Sequence, residues 1–225
     1  MTLEEEIKLE PLGELPTYLP LREVVYQTIK KAILDGKLKP GQQLSENSIA
    51  NMLSVSRTPV REAFRSLENE NLVSVLPGRK VIVSIPTLEE IQEIYEIRMI
   101  VEMEALRRIL PDNYTIINRL EAYVKKAELL LEEENVEELN HINSEFHLTI
   151  ISALQNNKLQ QFIHSLQDTI SRYRIYSLKN SKWAKGSEQE HVQILNHLKQ
   201  GETELAVGIL RKHLLTAKEV LRDML

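Results

Sequence analysis

Apolar residues along the first third of the chain fall into short helical stripes and then into alternation. From Leu21 the spacing Val24, Val25, Ile29, Ala32, Ile33 predicts a helix, closed by Gly36 and the Pro40-Gly41 turn. Ser45 is a good N-cap for a short helix through Ile49, Ala50, Met52 and Leu53. Thr58-Pro59 reads as N-cap and first helical residue of a third helix, with Val60, Ala63, Phe64 and Leu67 on one face. Two β-branched runs, 72–76 and 81–85, flank Pro77-Gly78-Arg79-Lys80 and predict a hairpin. The order is helix, helix, helix, hairpin.

After Pro86 the period is helical throughout. Thr87 and Glu90 form a capping box, and six helices are expected near 87–110, 114–134, 136–154, 157–179, 187–200 and 202–224. The break before the fifth is placed at Lys185-Gly186, with Ser187 and Glu190 as its capping box. Residues 1–20 carry Pro11, Gly13, Pro16 and Pro20 and no period, and are expected to form a flexible arm. The expected organisation is an arm (1–20), a mixed domain (21–86) and an all-helical domain (87–225).

Composition narrows the chemistry. There is no cysteine, so disulfides and thiolate metal sites are excluded. No apolar run reaches the roughly 18–20 residues that cross a bilayer, and the acidic start MTLEEEIKLE is unlike a signal peptide. A soluble cytoplasmic protein with no membrane association is expected. Net charge is −5, yet residues 21–86 hold ten Lys/Arg against six Asp/Glu, while the segments on either side are acidic. That distribution fits one domain built to meet a polyanion.

The two helices within Ser45–Leu67 are separated only by Val55-Ser56-Arg57, the spacing of a helix-turn-helix whose second helix enters the DNA major groove. Arg57 and Arg61 straddle the start of that helix, and Arg65 lies one turn on. Arginine reads guanine O6 and N7 bidentately, and Ser56 and Thr58 can donate to phosphate. A solvated basic face on a small helical domain would carry the same residues.

The stretch LKPGQQLSENSIANMLSVSRTPVREAFRSLENENLVSVLPGRK resembles the signature of the GntR family of winged-helix repressors over about forty positions. The resemblance implies that Ser56, Arg57, Thr58 and Arg61 contact the operator and that Gly78 at the wing tip enters the minor groove. Arg65, Arg79 and Lys80 extend this basic set. The sequence departs from the pattern at Asn47, where some relatives carry Arg, and at the tip, where Arg79-Lys80 stands for the more usual Arg-Gly. The helical remainder resembles the FadR-type effector domain, FCD, in its shorter VanR-like branch. The segments IYEIRMIVEMEALR, NSEFHLTIISALQN, EHVQIL and RKHL carry that resemblance. The implied fold is mainly α: a winged helix-turn-helix with a small β-hairpin wing, then a six-helix bundle.

His147, His191 and His213 each fall on the inward side of a predicted helix. Spacing alone leaves two readings: three separate core residues, or one converging group held by a metal. The resemblance implies the second, with a divalent metal (zinc first, nickel or manganese as alternatives) on these three His and a carboxylate. The carboxylate position here is Asn143, which can offer only a neutral carbonyl oxygen. His141, His164 and His197 match nothing and are read as surface or structural. Arg98 stands on an otherwise apolar helix, paired with Glu102 or turned to a pocket, and Arg172 and Tyr173 raise the same question. Since FCD effectors are mostly small organic acids, these three are the candidate effector contacts, for a small carboxylate. A homodimer on a palindromic double-stranded operator is expected, joined through the helical domain. A metal-dependent hydrolase using the three His is the rival function. It lacks a general base at fixed spacing, such as the Glu of HExxH, and leaves the helix-turn-helix unexplained.

Overall fold

The computed structural model describes residues 9, 11, 12 and 19–223. By its internal contacts the chain divides after Pro86 into two units.

The first unit runs α1 (Leu21–Leu34), β1 (Gln43–Leu44), α2 (Glu46–Leu53), α3 (Arg57–Asn69), β2 (Val73–Leu76) and β3 (Lys80–Val83). Val25, Ile29, Ile33, Leu38, Ile49, Leu53, Val60, Phe64 and Leu67 are buried together as its core. Leu9 and Leu12 pack against that core, because two leucines three residues apart gain from covering apolar surface. The rest of the arm expected over 1–20, apart from Pro11, Leu19 and Pro20, lies outside the described residues.

The hairpin is present, with Leu76 opposite Lys80 and Val73 opposite Val83. A third strand joins it: β1 lies antiparallel to β3, giving the order β1-β3-β2. Two residues are too short to show a period, so β1 left no mark in the sequence. The chain turns into it through Gly41 at φ 77°, whose N–H donates to the Val83 carbonyl at 2.8 Å. The start of α3 is also corrected. Ser56, not Thr58, is the residue before the helix, and Pro59 is its third residue. Pro59 is tolerated there because the first N–H groups of a helix have no partner inside it.

The second unit is six helices: α4 (Leu88–Arg107), α5 (Tyr114–Glu132), α6 (Val136–Ser152), α7 (Asn157–Leu178), α8 (Ser181–Lys199) and α9 (Thr203–Arg222). Thr87 accepts the N–H of Glu90, and Asn113, Asn135, Asn156 and Asn180 cap the next four helices in the same way. The break expected at Lys185-Gly186 is absent. Gly186 lies inside α8, which begins two turns earlier under the Asn180 cap, and Ser187 is buried. A glycine inside a helix costs only about 1 kcal/mol, which a capped and packed helix absorbs. Ile91, Ile94, Leu106, Leu120, Phe146, Ile150, Ile194, Leu210 and Leu214 centre the core.

Candidate functional site

In the first unit, Arg57, Arg61, Arg65, Arg79 and Lys80 line one groove between α3 and the wing, together with Glu46 and Glu68. Helix α3 buries Val60, Ala63, Phe64 and Leu67, which turns Arg57, Thr58, Arg61 and Arg65 outward. Ser56 and Gly78 are exposed at its edges. Arg57 makes no hydrogen bond or ion pair among the described residues. Arg61 is engaged: its Nε and Nη2 donate to the Glu46 carboxylate at 2.9 and 2.8 Å. Arg61 holds the Glu46 carboxyl below its ordinary range, with Arg57 and Arg65 adding to the effect. Arg61 therefore reaches a base only by exchanging Glu46 for it, a condition that the sequence did not reveal.

At the wing tip Gly78 and Arg79 take φ of 82° and 60°. Left-handed backbone is free for glycine and costs an L side chain roughly 1–2 kcal/mol. Arg79→Gly should thus raise the stability of this unit by about 1 kcal/mol while weakening DNA binding on every sequence alike. Lys80→Ala should weaken binding in the same uniform way and lower the slope of log affinity against log salt by about one. Denaturant melts and binding titrations at several salt concentrations read both effects.

In the second unit, the three predicted histidines converge. His147 comes from α6, His191 from α8 and His213 from α9, and one nitrogen of each lies within 4.8 Å of the others. All three are buried. Each Nδ1 faces its own carboxylate: His147 with Glu102 at 2.6 Å, His191 with Glu188 at 3.1 Å, His213 with Glu190 at 3.1 Å. A carboxylate only accepts, so each Nδ1 carries the proton and each Nε2 is left as the lone-pair donor. Burial pushes His147 well below its ordinary range, with Arg98 and Arg174 adding to it, and it takes His213 down to about 4 against the opposing pull of Glu190. These two imidazoles are neutral near pH 7, the form that binds metal. Nε2 of His147 and of His191 are buried without a hydrogen-bond partner. An unmet buried polar atom costs about 1–3 kcal/mol, and a cation shared by the three Nε2 atoms would meet that need. Phe146 stacks on His191 with ring centres 4.2 Å apart, fixing its plane. Of the remaining histidines, His141 and His164 are exposed, and His197 pairs with Glu202.

Asn143, one turn before His147, is buried and donates its amide to Glu188 Oε1 at 2.9 Å. Burial raises the Glu188 pKa, but His191 and Asn143 outweigh it and hold the group below the usual carboxylate range. Arg98 donates Nε to Glu102 at 2.7 Å, and its Nη2 has no hydrogen-bond partner. Arg172 donates to the Tyr173 hydroxyl at 3.2 Å. Tyr173 in turn shares a hydrogen bond with Glu90, and burial pushes its pKa up.

The guanidinium that joins Arg98 near the cluster is one the sequence reading passed over, Arg174. It is buried, donates to the Ser144 hydroxyl, and is lowered to about 9 first by burial and then by Arg98. In the run SRYRIY nothing ranks Arg174 above Arg172, since both stand among apolar neighbours and only the packed bundle separates their faces. Glu188 and Glu190 were equally hidden, because their role depends on α8 running unbroken through Gly186.

Comparison with known proteins matches these two units separately. The pattern of the bacterial regulatory proteins, gntR family, matches residues 21–83, and that of the FCD domain matches residues 93–216. The chain is 27% identical over 183 residues to the uncharacterized HTH-type transcriptional regulator YdhC of Bacillus subtilis (strain 168), covering 80% of this chain and 82% of that one. It is 28% identical over 157 residues to the gluconate operon transcriptional repressor of the same organism, covering 69% and 64%. Among solved structures, a GntR transcriptional regulator of Rhodococcus sp. RHA1 superposes with a TM-score of 0.77 at 26% identity, over 90% of this chain and 97% of that one. These relatives are regulators, and none supports the hydrolase reading. The chain belongs to the GntR family of bacterial regulatory proteins, with an FCD domain as its second unit, and is a DNA-binding transcriptional regulator rather than an enzyme.

Proposed function

We propose that this regulator is a repressor whose operator affinity is set by a small organic acid held in the FCD domain at a metal on His147, His191 and His213. The observation that carries the reading is the pair of partnerless Nε2 atoms beside two buried guanidiniums, Arg98 and Arg174. A bound divalent metal would supply a Lewis-acid centre for a carboxylate oxygen, and an imidazole set suits zinc or nickel better than manganese. The chain's own groups do the rest. Glu102, Glu188 and Glu190 hold the three imidazoles in one tautomer. Arg98 Nη2 is free to donate to an acid. Glu190 is paired with Lys212, and two guanidiniums and a dication outweigh the remaining Glu102 and Glu188, so an anion completes the charge balance. Arg172 and Tyr173 belong to the same reading as a second line of contacts toward a larger acid.

On DNA, α3 presents Arg57, Arg61 and Arg65 to base edges, Ser56 and Thr58 to phosphates, and the wing presents Gly78, Arg79 and Lys80 to the neighbouring groove. The name of the gluconate operon relative supports repression as the direction of control. One helix-turn-helix makes few contacts, and a homodimer reads a palindrome twice. Light scattering at micromolar concentration should give twice the chain mass of 26.0 kDa. A monomer with full operator affinity would contradict the dimer. The reading as a whole is tested by thermal shift against small carboxylic acids, with zinc added and after exhaustive chelation. Melting temperature should rise with an acid when zinc is present, and less after chelation. Equal shifts in both conditions would remove the metal from the account.

A further inference from the structure

Three carboxylates stand behind the three histidines, and two of them already have a cation. Glu102 is ion-paired with Arg98 at 2.7 Å, and Glu190 with Lys212 at 3.2 Å. Glu188 differs. It is only 5% exposed, its Oε1 accepts from the Asn143 amide and its Oε2 from His191 Nδ1, and no Lys or Arg lies within ion-pair distance among the described residues. The Arg174 guanidinium acts on Glu188 only from beyond ion-pair distance, and a buried carboxylate gains most when a positive charge is held close by.

We infer that Glu188 is the anionic positioning residue of the three-histidine site: it holds both the His191 imidazole and the Asn143 amide from behind, and its charge is matched by the cation that those groups hold. This rests on the reading of the histidines as a metal site. Two consequences follow from hydrogen-bond chemistry. With its nitrogen committed to Glu188, Asn143 has only its carbonyl oxygen left to offer a cation. With its Nδ1–H committed to Glu188, His191 keeps a lone pair on Nε2. The negative charge that Asn143 cannot supply thus sits one layer out, on α8. Replacing Glu188 by glutamine undoes both at once. A glutamine that accepts from Asn143 turns its own NH₂ toward His191, whose Nδ1 must then accept, moving the proton to Nε2 where the metal would bind.

Three variants test this by zinc and cobalt(II) calorimetry and by melting temperature with and without metal. Glu188→Gln should weaken metal binding about 10- to 100-fold and shrink the rise in melting temperature on metal addition. The metal-free Glu188→Gln protein should melt no lower than the wild type, because a buried charge with no Lys or Arg at ion-pair distance among the described residues has been removed. A purely structural Glu188 gives the opposite pattern, a lower metal-free melting temperature with metal affinity intact. Asn143→Asp alone sets a second carboxylate 2.9 Å from the first, and should lower the metal-free melting temperature. In the exchanged pair, Asn143→Asp with Glu188→Gln, one carboxylate and one amide are restored. Metal affinity should recover to at least the wild-type value. Wild-type protein that binds neither metal would overturn the metal reading itself. Wild type and Glu188→Gln binding equally, or an exchanged pair no better than Glu188→Gln, would overturn the role of Glu188 alone.

Discussion

Glu102→Gln is expected to lower the stability of the FCD domain by about 3–5 kcal/mol. Glu102 is 1% exposed, takes Arg98 Nε at 2.7 Å on one oxygen and faces His147 Nδ1 at 2.6 Å with the other. Glutamine has one acceptor for two donors, so its NH₂ must meet either the guanidinium or the imidazole N–H. Arg98 would remain charged, buried and close to Arg174 with no anion of its own. Removing both charges together should be far milder, because a buried pair is only marginally stabilising as a pair, while half of one is strongly destabilising. Urea unfolding of metal-free protein should therefore rank wild type, then the double variant Arg98→Met with Glu102→Gln, then Glu102→Gln. A loss below about 1 kcal/mol for the single variant would show that the pair is not desolvated as described.

Arg57→Ala should cost about 1–3 kcal/mol per half-site on operator DNA if its fork reads a guanine, and twice that for a dimer on both half-sites. Arg57 is the first residue of α3, exposed and without an ion pair among the described residues, so no described residue holds it back from DNA by an ion pair. Arg61 is held by Glu46, and the consequence is a difference in sign. Arg61→Ala should weaken operator binding. Glu46→Gln should tighten binding to random DNA, since it frees a guanidinium and removes a negative charge from the groove. Titrations on operator and random duplexes separate the roles. An equal loss on both for Arg57→Ala would reduce that residue to a phosphate contact.

The parts of this molecule that were legible in the sequence are those fixed by local chemistry. Pro, Gly and Asn mark many of the helix boundaries, and the hairpin follows from two β-branched runs around Pro77-Gly78. The inward faces of His147, His191 and His213 followed from helical period, and in the fold one nitrogen of each lies within 4.8 Å of the others. What was hidden depends on partners distant in sequence. Strand β1 exists only because β3 offers an edge. The sequence places the break at Lys185-Gly186, because one glycine is a stronger local sign than the distant packing that overrides it, while the helix starts under Asn180. That misplaced break hid Glu188 and Glu190 as partners of His191 and His213. Arg174 and Arg172 differ only in which way the bundle turns them.

The central claim joins the two units: occupancy of the three-histidine site by an acid sets operator affinity. The direct measurement is fluorescence anisotropy on the gene's own upstream DNA with zinc-loaded protein. The acid giving the largest thermal shift is titrated in, first with wild type and then with His191→Ala. The account predicts at least a tenfold change in operator affinity for wild type and none for His191→Ala, with both proteins binding equally well before the acid is added. An acid that shifts the melting temperature of wild type yet leaves its operator affinity unchanged would contradict the account.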